Sequence, residues 1–176
     1  FGEQAAADTD RAGGRAALQS RHIRILHARS FQADPTRILR AARYTTRLDF
    51  RIEPRTLRRL KRDTACLGRI SAERLHHEFV RIFDEAAPET TLADLDRLGS
   101  LSAIHPALHF DRVAAAAFRR LRSRHNVGRG FTLPAARAGY WPALASGLTS
   151  AEAATLATRL ALTKHQRTAV EAMPQL

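Results

Sequence analysis

The stretch that organises the chain is residues 30–50, which read SFQADPTRILRAARYTTRLDF. Asp34 is a good N-cap, and Pro35 has the fixed φ that suits the first position of a helix. With successive residues about 100° apart, four arginines share one third of the circumference: Arg37, Arg40, Arg43 and Arg47. The adjacent face is less polar and carries Ile38, Ala41, Ala42, Thr45 and Leu48. The stretch therefore predicts one helix with a packing face and a basic face.

The charge of the chain is concentrated around this helix. The whole sequence holds 29 basic and 17 acidic side chains, and all the basic ones except Lys61 and Lys164 are arginine. A GC-rich genome would explain the arginine bias, but not its distribution. Twelve basic and only four acidic side chains fall within residues 37–74. Such a local excess favours a polyanionic partner such as nucleic acid, and the alternative is a merely solvated basic face.

Composition narrows the class of protein. The 176 residues are 44% hydrophobic and 26% charged, which is typical of a soluble globular chain long enough to bury a core. No apolar run reaches the length of a membrane span, and the first residues lack a signal-peptide pattern, so a cytoplasmic setting is expected. Cys66 is the single cysteine, which excludes an internal disulfide and a multi-cysteine metal site.

The residues before the basic helix predict little regular structure. Small residues and the pair Gly13 and Gly14 predict a loop over the first twenty positions. Asp8 and Asp10 form an Asp-x-Asp pair of the kind that can hold magnesium, but no apolar alternation surrounds them, and the loop interpretation is favoured. Residues 22–27 alternate like a short strand. A strand needs a sheet, and the rest of the chain is not predicted to supply one.

The residues after the basic helix predict further helices from their apolar periodicity and breakers: 55–66, 72–84, 88–98, 111–125, 134–146, 150–161 and 164–173. Gly68 and Gly99 are predicted to end two of them, and Ser71 is a natural N-cap for the second. Residues 101–106 are interpreted as an apolar connector. The chain is therefore predicted to be all-α.

Several of these segments together resemble the bacterial tRNA nucleotidyltransferase (CCA-adding) and poly(A) polymerase family. The similarity covers about residues 10–110 and is carried by DRAGG at 10–14, by the 30–54 stretch ending in Glu-Pro, by GRISAERLHHEF at 68–79 and by LDRLGSLSAIHP at 95–106. In that family, a turn like residues 10–14 ends the catalytic head. The resemblance therefore implies a helical neck and body array behind a short remnant of a missing α/β head, comprising a loop and one strand.

The resemblance also implies roles for individual residues. Asp34 and Arg37 match the pair that faces the Watson–Crick edge of an incoming CTP or ATP, and Arg40 would help to orient the nucleotide. The tRNA acceptor end would be held through its phosphates by Arg43, Arg47, Arg58 and Arg62. A later motif would brace the neck with Ser71, Glu73 and Arg74. From the residues alone, Asp34 as a simple N-cap and the arginines as solvated side chains remain open alternatives.

The predicted organisation has three parts: a head-end remnant at 1–29, a neck at 30–105 and a body segment at 106–176. The predicted function is the neck and body part of an RNA nucleotidyltransferase that adds nucleotides to the tRNA 3′ end. Mg²⁺ with CTP or ATP is implied for a head-containing parent, while this chain alone is predicted to hold no metal or catalytic residue and to be inactive. The alternative is a stand-alone helical module that binds RNA or protein. The sequence leaves open whether CCA, CC, A or poly(A) is added, and the oligomeric state.

Overall fold

The computed structural model of the protein describes residues 14–127 and 138–172. Helices dominate both ranges, which confirms the all-α prediction. The α-helices of the described residues are α1 (Gly14–Gln19), α2 (Ser30–Ala33), α3 (Thr36–Leu48), α4 (Pro54–Asp63), α5 (Ala72–Phe83), α6 (Pro88–Arg97), α7 (Ser100–Ile104), α8 (Arg112–Val127), α9 (Tyr140–Leu144), α10 (Ser150–Arg159) and α11 (Lys164–Glu171). A 3₁₀ helix (Thr64–Arg69) follows α4, and the strands are β1 (His22–Ile23) and β2 (Arg51–Ile52).

Some predictions concern residues outside the described ranges. These are the Asp8 and Asp10 pair, Gly13, the first part of the helix predicted at 134–146 and the last residue of the one predicted at 164–173. Within the described ranges, the loop predicted over the first twenty residues is wrong from Gly14 onward, because α1 occupies that segment. No helix of the described residues is long and apolar enough to cross a membrane.

The predicted 30–50 helix is divided at Asp34. The segment α2 ends there because Asp34 adopts an extended backbone (φ −145°, ψ 94°), the conformation that a following proline favours. The Asp34 carboxylate then accepts hydrogen bonds from the Thr36 backbone N–H (3.3 Å) and hydroxyl (2.6 Å), the first of which is the contact expected of a capping side chain. Asp49 ends α3 in the left-handed conformation, with φ 53°. The proline thus creates a corner with Asp34 at its apex.

The strand predicted near residue 22 has a partner within the chain, contrary to expectation. β1 pairs in parallel with β2, so that His22 lies opposite Arg51 and Ile23 opposite Ile52. The sequence between α3 and α4 indicated only a helix break, because two extended residues are too few to show alternation. The backbone N–H of Ile25 also donates to the Thr56 hydroxyl (3.3 Å). This pairing fixes the segment after β1 beside α3 and α4.

Two smaller predictions are also wrong. Residues 101–106 are not a simple connector, since α7 occupies most of them. Gly68 does not end α4 but lies inside the 3₁₀ helix that follows it. Two other signals are confirmed: Gly99 has a φ of 70° after α6, and the Ser71 side chain accepts from the Arg74 backbone N–H at the start of α5.

The core is one contiguous apolar cluster that extends from α2 and α3 to the last helices. On α3, Ile38 and Leu39 are fully buried, whereas Leu48 is half-exposed, so the packing face is rotated from the predicted one. Aromatic rings join α5 to α9, where Phe83 lies 4.8 Å from the Trp141 ring centroid. His76 stacks on the same tryptophan at 5.0 Å, and its Nδ1 lies 3.0 Å from the Leu160 carbonyl oxygen.

The Arg159 guanidinium adds a polar connection between the C-terminal helices and the centre of the chain. Arg159 of α10 donates to the carbonyl oxygens of Ile70 (2.8 Å) and Leu67 (2.9 Å). It also reaches the carbonyls of Gly68 and Ile104, each at 3.3 Å. The 3₁₀ helix and α7 both end near these groups, and helix ends leave carbonyls without helical partners. Of the four carbonyls, that of Leu67 also accepts the Ile70 backbone N–H at 3.2 Å. Arg159 therefore satisfies several backbone acceptors immediately before α5 begins.

We expect Arg159→Ala to lower the free energy of unfolding by about 2 kcal/mol, because partly buried carbonyls lose a charged donor. Arg167→Ala is the matched control, since Arg167 reaches only the Thr158 hydroxyl at 3.4 Å; its cost should stay below about 0.5 kcal/mol. Urea denaturation followed by circular dichroism at 222 nm measures both. Equal losses would show that Arg159 is no more important than an ordinary surface arginine.

Candidate nucleotide and nucleic-acid interface

The Asp34 corner brings together three of the predicted site residues. Asp34 Oδ1 accepts from the Arg74 guanidinium of α5 at 2.8 Å, in addition to the two bonds from Thr36. Arg37 Nε lies 3.9 Å from Asp34 Oδ2, and Arg37 Nη1 donates to the Ser30 hydroxyl at 2.6 Å. The carboxylate and two guanidinium groups thus form a compact charged cluster at the start of α3.

The surroundings of Asp34 keep its carboxyl group ionised. Partial burial acts to raise the pKa of Asp34, but the hydrogen bonds from Thr36 and Arg74, together with the positive charge of Arg74, outweigh it and hold the pKa below its ordinary value. All three hydrogen bonds converge on Oδ1. Oδ2 accepts none from the residues that the structure describes, and it is the oxygen nearer to Arg37.

The rest of the predicted basic face on α3 is largely neutralised by acids from α5. Arg40 Nε donates to Glu78 Oε1 at 3.1 Å, and Arg81 donates to the same oxygen at 2.9 Å. Arg43 and Arg47 flank Glu85, just beyond the end of α5, with Nε to carboxylate distances of 3.6 and 3.9 Å. The sequence could not show this pairing, because it depends on how α5 is rotated against α3.

The arginines predicted to bind RNA therefore occupy different environments. The Arg43 side chain is only 10% exposed and lies in the α3–α5 interface, which corrects its expected position on an open basic face. Arg47 remains 59% exposed despite its contact with Glu85. On α4, Arg58 and Arg62 are both exposed. Arg62 donates two hydrogen bonds to the neighbouring Asp63, at 2.8 and 2.9 Å.

Asp63 is a buried carboxylate that the sequence did not single out. It accepts from Arg62 and also from the Gln32 side chain at 3.0 Å, so it ties α2 to the end of α4. The hydrogen bond from Arg62 is the main reason why the pKa of Asp63 is lowered, against the opposing effect of burial.

The three residues of the predicted bracing motif lie in different environments. Ser71 caps α5 and Arg74 reaches Asp34, while Glu73 is exposed in the first turn of the helix.

A groove of about 330 Å³ opens beside α3 and is called the α3 groove here. Its walls include Arg37, Arg40 and Tyr44 from α3, with Ser30 and Phe31 from α2, and residues 23–26 on the other side. Apolar walls with a few convergent donors suit a planar heterocycle. Tyr44 was not predicted, although its position four residues after Arg40 places it on the same helix face.

A second depression lies on the other side of the segment after β1 and is called the α4 cleft. It has a volume of about 500 Å³ and lies between residues 24–28 and the first half of α4. Three arginines line it: Arg24, Arg55 and Arg59. In the described ranges, no group of three or more His, Cys, Asp or Glu side chains could hold a metal ion.

The chain is similar to known proteins in sequence and in fold. A family model described as the probable RNA- and SrmB-binding site of polymerase A matches residues 49–111. An A-adding tRNA nucleotidyltransferase from Geobacter sulfurreducens is 39% identical over 93 residues, which are 52% of this chain and 11% of that protein. An A-adding tRNA nucleotidyltransferase from Halalkalibacterium halodurans is 34% identical over 117 residues, which are 64% of this chain and 27% of that protein.

Solved structures extend the similarity over nearly all of the chain. A CCA-adding enzyme in complex with ATP superposes with a TM-score of 0.76 at 26% identity, covering 90% of this chain and 39% of that one. The Thermotoga maritima CCA-adding enzyme complexed with tRNA gives a TM-score of 0.74 at 26% identity, covering 89% and 39%. The chain thus spans well under half the length of each of these proteins. In sequence and fold the chain is similar to the neck and body region of the tRNA nucleotidyltransferase and poly(A) polymerase family.

Proposed function

We propose that this region reads the base of an incoming CTP or ATP and holds the 3′ end of a tRNA for terminal nucleotide addition. The observation that carries the proposal is the contact of Asp34 with Arg37, which lines the α3 groove, while Arg74 holds the carboxylate in its ionised form. The similar enzymes include one complexed with ATP and one complexed with tRNA, which supports both kinds of partner.

The chemistry of this pair fits cytosine and adenine. Both bases carry an exocyclic amine beside an unprotonated ring nitrogen, so Asp34 Oδ2 can accept from the amine while Arg37 donates to the ring nitrogen. Guanine and uracil present a carbonyl oxygen in place of that amine. An ionised carboxylate would then face an acceptor, which disfavours GTP and UTP. To reach a base, Arg37 would exchange its hydrogen bond to Ser30 for one to the nucleotide.

The exposed arginines supply contacts to RNA phosphates. Arg47, Arg58 and Arg62 present guanidinium groups at the surface, whereas Arg43 is buried against Glu85 and is left out of the proposed RNA surface. Mg²⁺ would accompany CTP or ATP, but the described residues do not provide a group of three or more ligands for it. The inactivity of this chain by itself stays a prediction.

We expect Arg37→Ala to weaken the binding of CTP and ATP about tenfold, because one charged hydrogen bond to the base is lost. Binding of tRNA should change less than about twofold, since Arg37 is not proposed to contact phosphates. NMR titration of the chain with each nucleotide measures the first effect, and filter binding of labelled tRNA the second. Arg119→Ala, at an exposed position on α8, is the control. Unchanged CTP and ATP affinities in Arg37→Ala would refute the base-reading assignment.

A second prediction concerns the ionisation of Asp34. Because its pKa is lowered in the folded chain, the Asp34–Arg74 contact stabilises the fold above the ordinary pKa of an aspartate, and this stabilisation is lost as the pH falls through the lowered pKa. We expect Arg74→Ala to raise the pKa of Asp34, measured by carboxyl ¹³C NMR. It should also cost about 0.5 kcal/mol of unfolding free energy at pH 7 and less near pH 3, because the pair is partly exposed. An unchanged Asp34 pKa in Arg74→Ala, with Arg120→Ala as control, would contradict this role for Arg74.

A third prediction concerns salt. If about three phosphates are neutralised, the affinity for tRNA should fall roughly twenty- to fortyfold between 50 and 200 mM NaCl, because each contact releases counterions. Fluorescence anisotropy with labelled tRNA over this range measures the slope. A flat response to salt would show that phosphate contacts do not contribute to binding.

A further inference from the structure

The α4 cleft is formed by two segments that are distant in sequence. The β1–β2 pairing and the bond from Ile25 N–H to the Thr56 hydroxyl hold residues 24–28 against α4. Arg24, Ile25 and Leu26 line both the α4 cleft and the α3 groove, so the two depressions share one wall. Any ligand in the cleft would therefore lie next to a nucleotide base in the groove.

The two arginines that α4 contributes to the cleft, Arg55 and Arg59, have no ion-pair partner among the residues that the structure describes. Arg55 and Arg59 are four residues apart on α4 and lie on the same helix face. Arg55 forms no hydrogen bond or ion pair with any residue in the described ranges, and Arg59 forms only a longer-range interaction with Asp63. The only carboxylate that lines the cleft, Glu53, accepts from the Thr56 hydroxyl at 2.8 Å and pairs with no arginine of the described chain.

This arrangement contrasts with the arginines of α3. Glu78 and Glu85 neutralise Arg40 and Arg43 in the interface with α5, so these two arginines have a role in holding the fold together. Among the described residues, no carboxylate pairs in this way with Arg55 or Arg59 of α4. Guanidinium groups on one helix face recognise phosphate through charged, often bidentate hydrogen bonds. Leu26, 74% exposed on the shared wall, adds an apolar contact suited to a ribose or a base.

We propose that the α4 cleft binds backbone phosphates of an RNA strand, with Arg55 and Arg59 as the principal ligands. The shared wall places that strand beside the base-reading α3 groove, so that the RNA end and the incoming nucleotide meet across residues 24–26. The inference rests on the proposed function and adds a site to it. The same phosphate chemistry could instead serve the triphosphate of the nucleotide in the groove, and the experiment separates these two sources.

The test compares two double variants of the whole 176-residue chain that remove the same charge. Arg55→Ala/Arg59→Ala alters the cleft, and Arg119→Ala/Arg120→Ala alters adjacent exposed arginines on α8. Binding of a fluorescein-labelled single-stranded RNA of twelve nucleotides is measured by anisotropy between 50 and 200 mM NaCl, and binding of ATP by NMR titration. The cleft variant should raise the RNA Kd about tenfold at 50 mM salt and reduce the slope of log Kd against log salt by about 1.4, two phosphate contacts' worth. The α8 variant should change the Kd less than twofold.

Each other outcome has a defined meaning. Equal weakening of RNA binding by both variants would overturn the cleft, because affinity would then follow net charge alone. Weaker ATP binding with unchanged RNA binding would overturn it in favour of a triphosphate site. If the unaltered chain binds RNA in a salt-dependent way and the cleft variant binds it equally well, the cleft is refuted and the proposed function stands. Conversely, a loss of RNA affinity confined to the cleft variant, while Arg37→Ala leaves ATP binding unchanged, would support the cleft and refute the base-reading site.

If circular dichroism shows that the alanine pair does not fold, Arg55→Gln/Arg59→Gln keeps long polar side chains on α4 and gives the same comparison.

Discussion

The packing of α3 against α5 depends on arginines that neutralise the carboxylates enclosed between these elements. The Glu78 side chain is only 4% exposed; its Oε1 accepts from Arg40 and Arg81, and its Oε2 is buried without a partner. Removing a partner from such a buried charge typically costs about 3–5 kcal/mol, far more than breaking a surface ion pair. Arg40 and Arg43 therefore serve the packing of α3 against α5, whereas Arg47 remains 59% exposed. The exception lies at the Asp34 corner, where the carboxylate is only partly buried and one of its oxygens faces Arg37.

Local signals predicted the elements well, because they act over a few residues. Asp34, Pro35, Ser71 and Gly99 each marked a helix boundary through their own backbone preferences. The same sequence could not reveal the β1–β2 pair, whose two-residue strands are separated by almost thirty positions and show no alternation of their own. It also placed the packing face of α3 slightly wrong, since Leu39 is buried and Leu48 half-exposed. Those details are decided by tertiary contacts and not by periodicity.

The candidate site likewise combines features that sequence spacing indicates with features that only the folded chain shows. The proximity of Asp34 and Arg37 followed from their spacing of three residues, although Asp34 precedes α3 and does not lie within it. Tyr44 could have been found from its spacing to Arg40 on α3. The partner that holds Asp34, Arg74, lies forty residues away, and its contact became visible only in the folded chain. The α4 cleft was not predicted at all, because its arginines come from two segments that only the β pairing brings together. Counting basic residues showed that the region is cationic, but not which guanidinium groups the protein itself neutralises.

Arg159 has a consequence for how the sequence of this region can vary. Within the described part of the chain, its hydrogen bonds are all made to main-chain carbonyls, at residues 67, 68, 70 and 104, and none to a side chain. Every amino acid supplies the same carbonyl, so substitutions at those four positions can change the side chain without removing the acceptor. These hydrogen bonds therefore depend on the identity of one residue only, the arginine, whose five donors no other side chain reproduces. On the acceptor side, Leu67, Ile70 and Ile104 are constrained by the burial of their own side chains in the core, so a change there acts through packing and not through this contact.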